Sequence, residues 1–138
     1  MRRLFLATLV AAVPTLAAAD TTPEPVALLE GLDKITARVS KFEAPVGAAV
    51  QFGTLAIRVR DCEKSPPEDP PESAAFVEID ETRTGEVRTR VFSGWMFASS
   101  PALSALEHPV YDVTLLDCKA PSGSPRTASG NATGKDAR

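Results

Sequence analysis

Few side chains in this sequence could carry out catalysis, and they lack the spacing of known catalytic motifs. The one histidine, His108, follows Glu107, but adjacency in sequence does not place both side chains in one constellation. A serine hydrolase or a zinc hydrolase would show G-x-S-x-G or H-E-x-x-H, and neither occurs. Because Pro109 comes next, we expect His108 to end a helical turn and to bond locally.

Two carboxylates form another candidate pair, since Asp61 and Asp117 each precede a cysteine. If Cys62 and Cys118 form a disulfide, the two acids lie near one another, and a pair of carboxylates could act in a glycosidase. A glycosidase also needs a large groove, for which about 90 structured residues leave little room. We therefore expect both acids to face water at strand ends, and we expect the protein not to be an enzyme.

The two cysteines of the chain are Cys62 and Cys118. In a chain that begins with an export signal, as described below, such a pair indicates a disulfide, and closing a loop of this length contributes roughly 4 kcal/mol. A metal site would need more ligands than these cysteines and the distant His108, and the C-x-x-C spacing of a redox pair is absent. The prediction is a structural Cys62–Cys118 disulfide, with no metal and no cofactor.

An apolar stretch from Phe92 to Cys118 contains the only Trp and the only Tyr of the chain. Adjacent residues of a strand face opposite ways, so Trp95 and Phe97 share one face and Met96 lies on the other. Both faces are then apolar. This pattern is typical of a central strand buried on both sides, and also of a recognition surface rich in aromatic residues and Met. Both alternatives stay open, and Trp95, Met96 and Phe97 are candidates for partner contact.

A Pro-rich segment, SPPEDPPES at residues 65–73, is the second candidate contact. Because proline cannot donate to a sheet ladder, the segment is predicted to be an extended, polyproline-like loop. It is either a stiff arm that a partner grips or a solvated connector between strands. The residues concerned are Pro66, Pro67, Pro70 and Pro71.

Apolar and polar residues alternate with a period of two, which predicts five or six half-buried strands. The runs centre on residues 35–39, 55–59, 75–79, 87–97 and 111–115. Gly85 predicts a hairpin that joins residues 76–82 to 86–97. The one helical candidate is Pro101 to Leu106, after a serine cap. The predicted fold is all-β, a small antiparallel sandwich or partly open barrel with one short helical turn.

The first 19 residues resemble a secretory signal peptide. Arg2 and Arg3 precede an apolar stretch, and Ala17–Ala19 before Asp20 suits signal peptidase. The stretch is shorter than the ~20 residues that a spanning helix needs, so cleavage is expected rather than a retained anchor. Export by the general secretion route would place the mature chain in the periplasm.

The remaining chain divides into a flexible leader (20–27), one all-β domain (28–119) and a disordered tail (120–138). Loss of the two signal arginines takes the formal charge from −3 to −5. With this acidic balance and no basic stripe, nucleic acid is not expected as a partner. No segment after the signal is long and apolar enough to cross a membrane.

The chain resembles a family of exported bacterial proteins in three segments: GLDKITARVSKFEAPVG, FGTLAIRVRDCEKSPPEDPPESAAFVEI and VFSGWMFASSPALSALEHPVYDVTLLDCK. The resemblance extends over about Leu28 to Lys119, the whole predicted domain. The pattern GWMFASSPxLxxLEHPVYDVxxxDC is long enough to be specific. The family is catalogued as a domain of unknown function and occurs in the bacterial lineage related to mitochondria.

The resemblance implies no established enzyme activity. It implies an accessory subunit on the periplasmic side of the respiratory NADH–quinone oxidoreductase (complex I), held by protein contacts to subunits of that membrane complex. The alternative is a free periplasmic module that binds or scaffolds envelope proteins or peptides.

Overall fold

The computed structural model describes residues 20–123, so the predicted signal peptide and the part of the predicted tail after Gly123 lie outside the described residues. The described chain forms antiparallel strands, and its one helical element is a single 3₁₀ turn at Pro101–Leu103. The predicted all-β class and short helical turn are therefore confirmed. The strands are β1 (Thr22–Pro23), β2 (Val26–Asp33), β3 (Arg38–Pro45), β4 (Ala49–Phe52), β5 (Leu55–Lys64), β6 (Ser73–Glu81), β7 (Thr89–Phe97) and β8 (Tyr111–Lys119).

The strands form two open antiparallel sheets rather than a closed barrel. The larger sheet has the order β1-β5-β6-β7, and β4 pairs with the first half of β5 while β1 pairs with its end. The smaller sheet has the order β3-β2-β8. The predicted hairpin at Gly85 joins β6 to β7, with the strands ending at Glu81 and resuming at Thr89.

The core lies between the sheets, where buried apolar residues alternate along the central strands with residues that point outward. Strand β6 shows this pattern most clearly, since Ala75, Val77 and Ile79 are fully buried and the residues between them are only partly buried. Burial of such side chains contributes about 25 cal/mol per Å² of apolar surface removed from water. The fully buried large side chains come from both sheets: Leu29, Leu55, Ile57, Val59, Val77, Ile79 and Leu115.

The predicted disulfide is present and joins the two sheets. Cys62 lies on β5 of the larger sheet and Cys118 on β8 of the smaller one, with their Cα atoms 5.6 Å apart. Both residues are buried within the apolar cluster. The bond therefore links the two layers of the sandwich from within the core, near the ends of β5 and β8.

Two parts of the chain differ from the sequence prediction. Val26 and Ala27, assigned to a flexible leader, are buried residues of β2, which pairs with β3 on one side and β8 on the other, and Ala27 belongs to the core cluster. Residues 35–37, assigned to a strand, form the turn between β2 and β3 instead. Asp33 accepts hydrogen bonds from the backbone N–H groups of Ile35 and Thr36, which stabilises a turn and leaves Ile35 exposed.

A close approach between the sheets depends on Gly31 of β2. A Cβ atom built there would lie 2.6 Å from the ring of Phe52, so the ring packs directly on the glycine backbone. Phe52 also stacks on Phe42 and contacts Tyr111 edge to face, which closes one end of the sandwich. Among residues 20–123, no helix has the length and apolar character to span a membrane.

Candidate protein-docking surface

The outward face of the larger sheet carries the candidate docking surface. Residues that pair directly across antiparallel strands point to the same side. On β6, Phe76 and Glu78 point away from the core, and their neighbours on β5 and β7 share that side. We call this side of the larger sheet the outer face. It carries two groups of side chains, one aromatic and one charged.

The aromatic patch consists of Phe76, Trp95 and Phe97. Trp95 lies opposite Phe76, and their rings meet edge to face with centroids 5.6 Å apart. Trp95 is 38% exposed, and Phe97 lies opposite Ala74 and is half-buried. The structure thus places the predicted face of Trp95 and Phe97 outside the core, where an indole ring offers apolar area to a partner.

The third candidate on this strand, Met96, is not part of the patch. It lies opposite Ala75 on the inward side and is 2% exposed, within the apolar cluster. Its assignment as a contact residue is therefore corrected: the period of two that exposes Trp95 buries Met96.

The arginine cluster consists of Arg58, Arg60, Arg88 and Arg90, and it occupies the other half of the outer face. These residues line a depression of about 220 Å³ together with Glu78 and Asp80. Hydrogen bonds from Arg60 and Arg90, opposed by partial burial, lower the pKa values of Glu78 and Asp80 respectively. Both carboxylates are therefore charged at neutral pH.

The Pro-rich loop is tied into a fixed shape. Ser65 donates its hydroxyl to the carbonyl of Pro70 and accepts the N–H of Glu72, while its own N–H donates to the carbonyl of Glu72. Pro66, Pro67 and Pro71 line a cavity of about 400 Å³ against Thr22 and Glu24 near β1. The loop is thus an ordered wall of a groove.

The carboxylate of Glu72 anchors this loop to the chain after β7. It accepts hydrogen bonds from the backbone N–H groups of Ser73 and Ser99 and from the Ser99 hydroxyl. Although burial opposes ionisation, these bonds lower the pKa of Glu72. The loop and the segment after Phe97 are therefore held together.

His108 has a structural position. The ring is buried, its Nδ1 accepts the N–H groups of Val110 and Tyr111 at 3.1 Å, and its Nε2 lies 2.9 Å from Glu81. Because Nδ1 accepts, Nε2 carries the proton and donates to Glu81. The ring also stacks on Tyr111. These bonds agree with the local bonding that the sequence predicts for His108.

The carboxylate pair predicted from the sequence is divided between the sheets. Asp61 lies on β5 opposite Phe76, whereas Asp117 lies on β8 opposite Leu28. Asp117 accepts hydrogen bonds from Lys64 at 2.8 Å and from the Ser73 hydroxyl at 3.0 Å. Burial opposes its ionisation, but these bonds lower the pKa of Asp117. Asp117 thus links the two sheets.

Within the part of the chain that the structure describes, no three His, Cys, Asp or Glu side chains converge on a possible metal position. Sequence reasoning missed the arginine cluster as a functional group. Part of the signal was present, since Arg58 and Arg60 alternate along β5 and Arg88 and Arg90 alternate at the start of β7, with Arg88 just before the strand. Only the strand order places them side by side.

Comparison with known proteins assigns a family but no activity. Residues 27–118 match the family described as "Uncharacterized protein conserved in bacteria (DUF2155)". An uncharacterized protein of Rickettsia prowazekii (strain Madrid E) is 33% identical over 87 residues, which are 63% of this chain and 56% of the relative. The chain thus spans about half the length of that curated relative. No solved structure matches it.

Proposed function

The chain belongs to the DUF2155 family of bacterial proteins, and from that premise we propose that it is a non-catalytic accessory subunit of the respiratory NADH–quinone oxidoreductase. In this role the mature protein sits in the periplasm and docks on the outer face of that membrane complex. The specific link to complex I comes from the sequence resemblance over the domain and its GWMFASSP segment.

The aromatic patch is the observation that carries the proposal. Trp95 stands partly exposed on the outer face, braced by Phe76. Tryptophan is enriched among the residues that dominate binding energy at protein interfaces, where truncation of such a residue costs about 2 kcal/mol or more. A two-layer sandwich with a disulfide across its core holds this side chain in a preorganised position.

The groups that could support catalysis also have structural partners, which favours a binding role. His108 bonds two backbone N–H groups and Glu81, and Asp117 bonds Lys64 and Ser73. Each of these side chains closes a contact between separate strands or loops. His108 and Asp117 are thus engaged in structural hydrogen bonds rather than in a nucleophile–base pair.

Affinity purification of the tagged protein from native membranes in mild detergent tests the proposal. We expect complex I subunits to be recovered in near-stoichiometric amounts. The Trp95→Ala variant should reduce that recovery, because about 2 kcal/mol corresponds to roughly 30-fold in affinity. Val39→Ala, which truncates an exposed apolar side chain of β3 on the other sheet, is the matched control and should leave recovery unchanged. Recovery of envelope components alone would contradict the proposal.

A second function is favoured by the groove under the Pro-rich loop. Its cavity of about 400 Å³ has walls of Pro66, Pro67 and Pro71, which suit an extended apolar peptide. A free periplasmic module for envelope proteins or peptides would use this groove. It would elute independently of membranes, and Trp95→Ala would leave its binding intact.

A further inference from the structure

The arginine cluster has more positive charge than its own carboxylates neutralise. Arg60 donates to Glu78 at 2.7 Å, and Arg90 bonds both Glu78 and Asp80. Arg88 approaches Asp80 only to 3.9 Å, and Arg58 makes no ion pair of 4.0 Å or less within residues 20–123. Two carboxylates therefore face four guanidinium groups, and Arg58 and Arg88 keep donors for another anion.

The strand pairing explains why these charges collect. Arg58 lies opposite Glu78 across β5 and β6, and Arg90 lies opposite Asp80 across β6 and β7. The register shifts between Val59 and Asp61, so Arg60 has no direct partner on β6 and remains exposed beside Arg58. The bulge thereby adds one more arginine to the outer face.

The net charge of the arginine cluster is opposite in sign to the net charge of the whole chain. The chain has a formal charge of −3, yet four of its 15 lysines and arginines lie together on this face. Arginine binds carboxylates through two parallel N–H donors, a geometry that gives orientation as well as attraction. The complementary ligand is therefore an acidic group.

A protein segment fits the cluster better than an anionic lipid surface does. Glu78 and Asp80 lie between the arginines, and a dense layer of negative headgroups would be repelled by them. A protein segment can instead direct single carboxylates to the open donors of Arg58, which lies opposite Glu78, and of Arg88, which is 3.9 Å from Asp80. Charged groups arranged in this way set the register and the association rate of an interface.

The aromatic patch borders the cluster along the same strands. Phe76 is the outward residue of β6 that comes just before Glu78, and Trp95 lies opposite Phe76 on β7. On β5, Asp61 lies opposite Phe76, and Glu63 lies beyond it on the side away from Arg58. The outer face is therefore basic at one end and acidic at the other, which orients an acidic ligand toward the arginine end.

We propose that the arginine cluster binds an acidic segment of the protein partner, with carboxylates on Arg58 and Arg88 and an adjoining apolar side chain on Trp95. This inference rests on the proposed docking role and specifies the chemistry of the partner. It makes the outer face a two-part site in which the aromatic patch supplies contact area and the arginines supply selectivity.

Fluorescence of Trp95, the only tryptophan, provides the assay. The probe is an acetylated hexapeptide of alternating Glu and Leu, with a Gln and Leu counterpart as its neutral control. We expect a saturable change with the Glu peptide that weakens as salt is added, and a much weaker one with the Gln peptide. Equal affinities for both peptides would overturn the proposal.

Charge variants identify the residues responsible. Arg58→Gln with Arg88→Gln should weaken binding of the Glu peptide about three- to tenfold, as expected for two partly exposed charge pairs. Arg58→Lys with Arg88→Lys keeps the charge and should retain most of the affinity. The matched control is Arg38→Gln with Lys41→Gln on β3, which removes the same charge from the other sheet. An equal loss in this control would show only long-range attraction and would refute a site at the cluster.

Two further measurements separate this inference from the proposed function. If wild-type protein recovers complex I and the Gln variants do so equally well, the acidic-segment site is refuted and the docking role stands. If the wild type recovers no complex I but binds the Glu peptide through Arg58 and Arg88, the docking role fails and the site stands. Binding to phosphatidylglycerol vesicles through these arginines, with no binding of the Glu peptide, would also refute the inference.

Discussion

Removal of the disulfide should destabilise the domain strongly without changing its fold. The perturbation is the double variant Cys62→Ala/Cys118→Ala, compared with oxidised and with reduced wild type. The bond closes a loop with a sequence separation of 56 and joins strands of different sheets. Its main effect is on the unfolded chain, which gains freedom when the loop is opened.

The expected magnitude follows from the loop length. For a separation of 56, the chain-entropy relation gives a contribution of about 4 kcal/mol at 25 °C. A domain of ~100 residues has a total stability of about 5–15 kcal/mol, so this loss is a large part of it. The melting temperature should fall by roughly 15–30 °C. Because both sulfur atoms are buried, the alanine variant also loses some packing.

Urea denaturation followed by circular dichroism measures the effect. Reduced wild type and the double variant should both unfold at much lower urea concentration than the oxidised protein. In both, the free energy of unfolding should also fall more steeply with urea concentration, because an unfolded chain without the crosslink exposes more surface. A difference in unfolding free energy below about 1 kcal/mol would refute the loop-closure argument.

Three further predictions concern single side chains. Gly31→Ala should lower the free energy of unfolding by about 2 kcal/mol because the Phe52 ring must move. The control is Gly94→Ala, where the atom nearest to the added Cβ lies 3.6 Å away, and this change should cost much less. Urea denaturation midpoints of the two variants measure the difference. His108→Ala should cost about 2 kcal/mol because two backbone N–H groups lose their acceptor, and an unchanged midpoint would contradict the structural role. The hydrogen bond from Arg83, opposed by partial burial and aided by His108, lowers the pKa of Glu81 below its ordinary value of 4.5. The ionised Glu81 carboxylate therefore stabilises the fold fully above pH 4.5, and this contribution is lost as the pH falls through the lowered pKa. Glu81→Gln should accordingly show a smaller loss of stability between pH 5 and pH 3 than wild type, with Glu30→Gln as the control.

The sequence allowed the fold class, the disulfide and the opposite orientations of Trp95 and Met96 to be predicted, because each depends on a local pattern or on cysteine number. Alternation placed Trp95 and Met96 on opposite sides but did not say which side was the core. That choice depends on the neighbouring strand, where Ala75 and Val77 face inward beside Met96. The pairing of β6 with β7 therefore determines that Met96, and not Trp95, faces the core.

Other features were not predictable because local signals pointed elsewhere. Val26 follows two prolines of the predicted leader, yet it is a buried residue of β2, which pairs with both β3 and β8. Ile35 alternates with polar neighbours as in a strand, yet the bonds from Asp33 favour a turn. The arginine cluster combines residues about 30 positions apart in sequence, so it exists only through the strand order.

The most direct test of the account is the recovery of complex I with the tagged protein from native membranes in mild detergent. We expect near-stoichiometric complex I subunits with wild type and with Val39→Ala, and strongly reduced recovery with Trp95→Ala. Absence of complex I from the wild-type sample, or equal recovery with Trp95→Ala, would contradict docking through the aromatic patch.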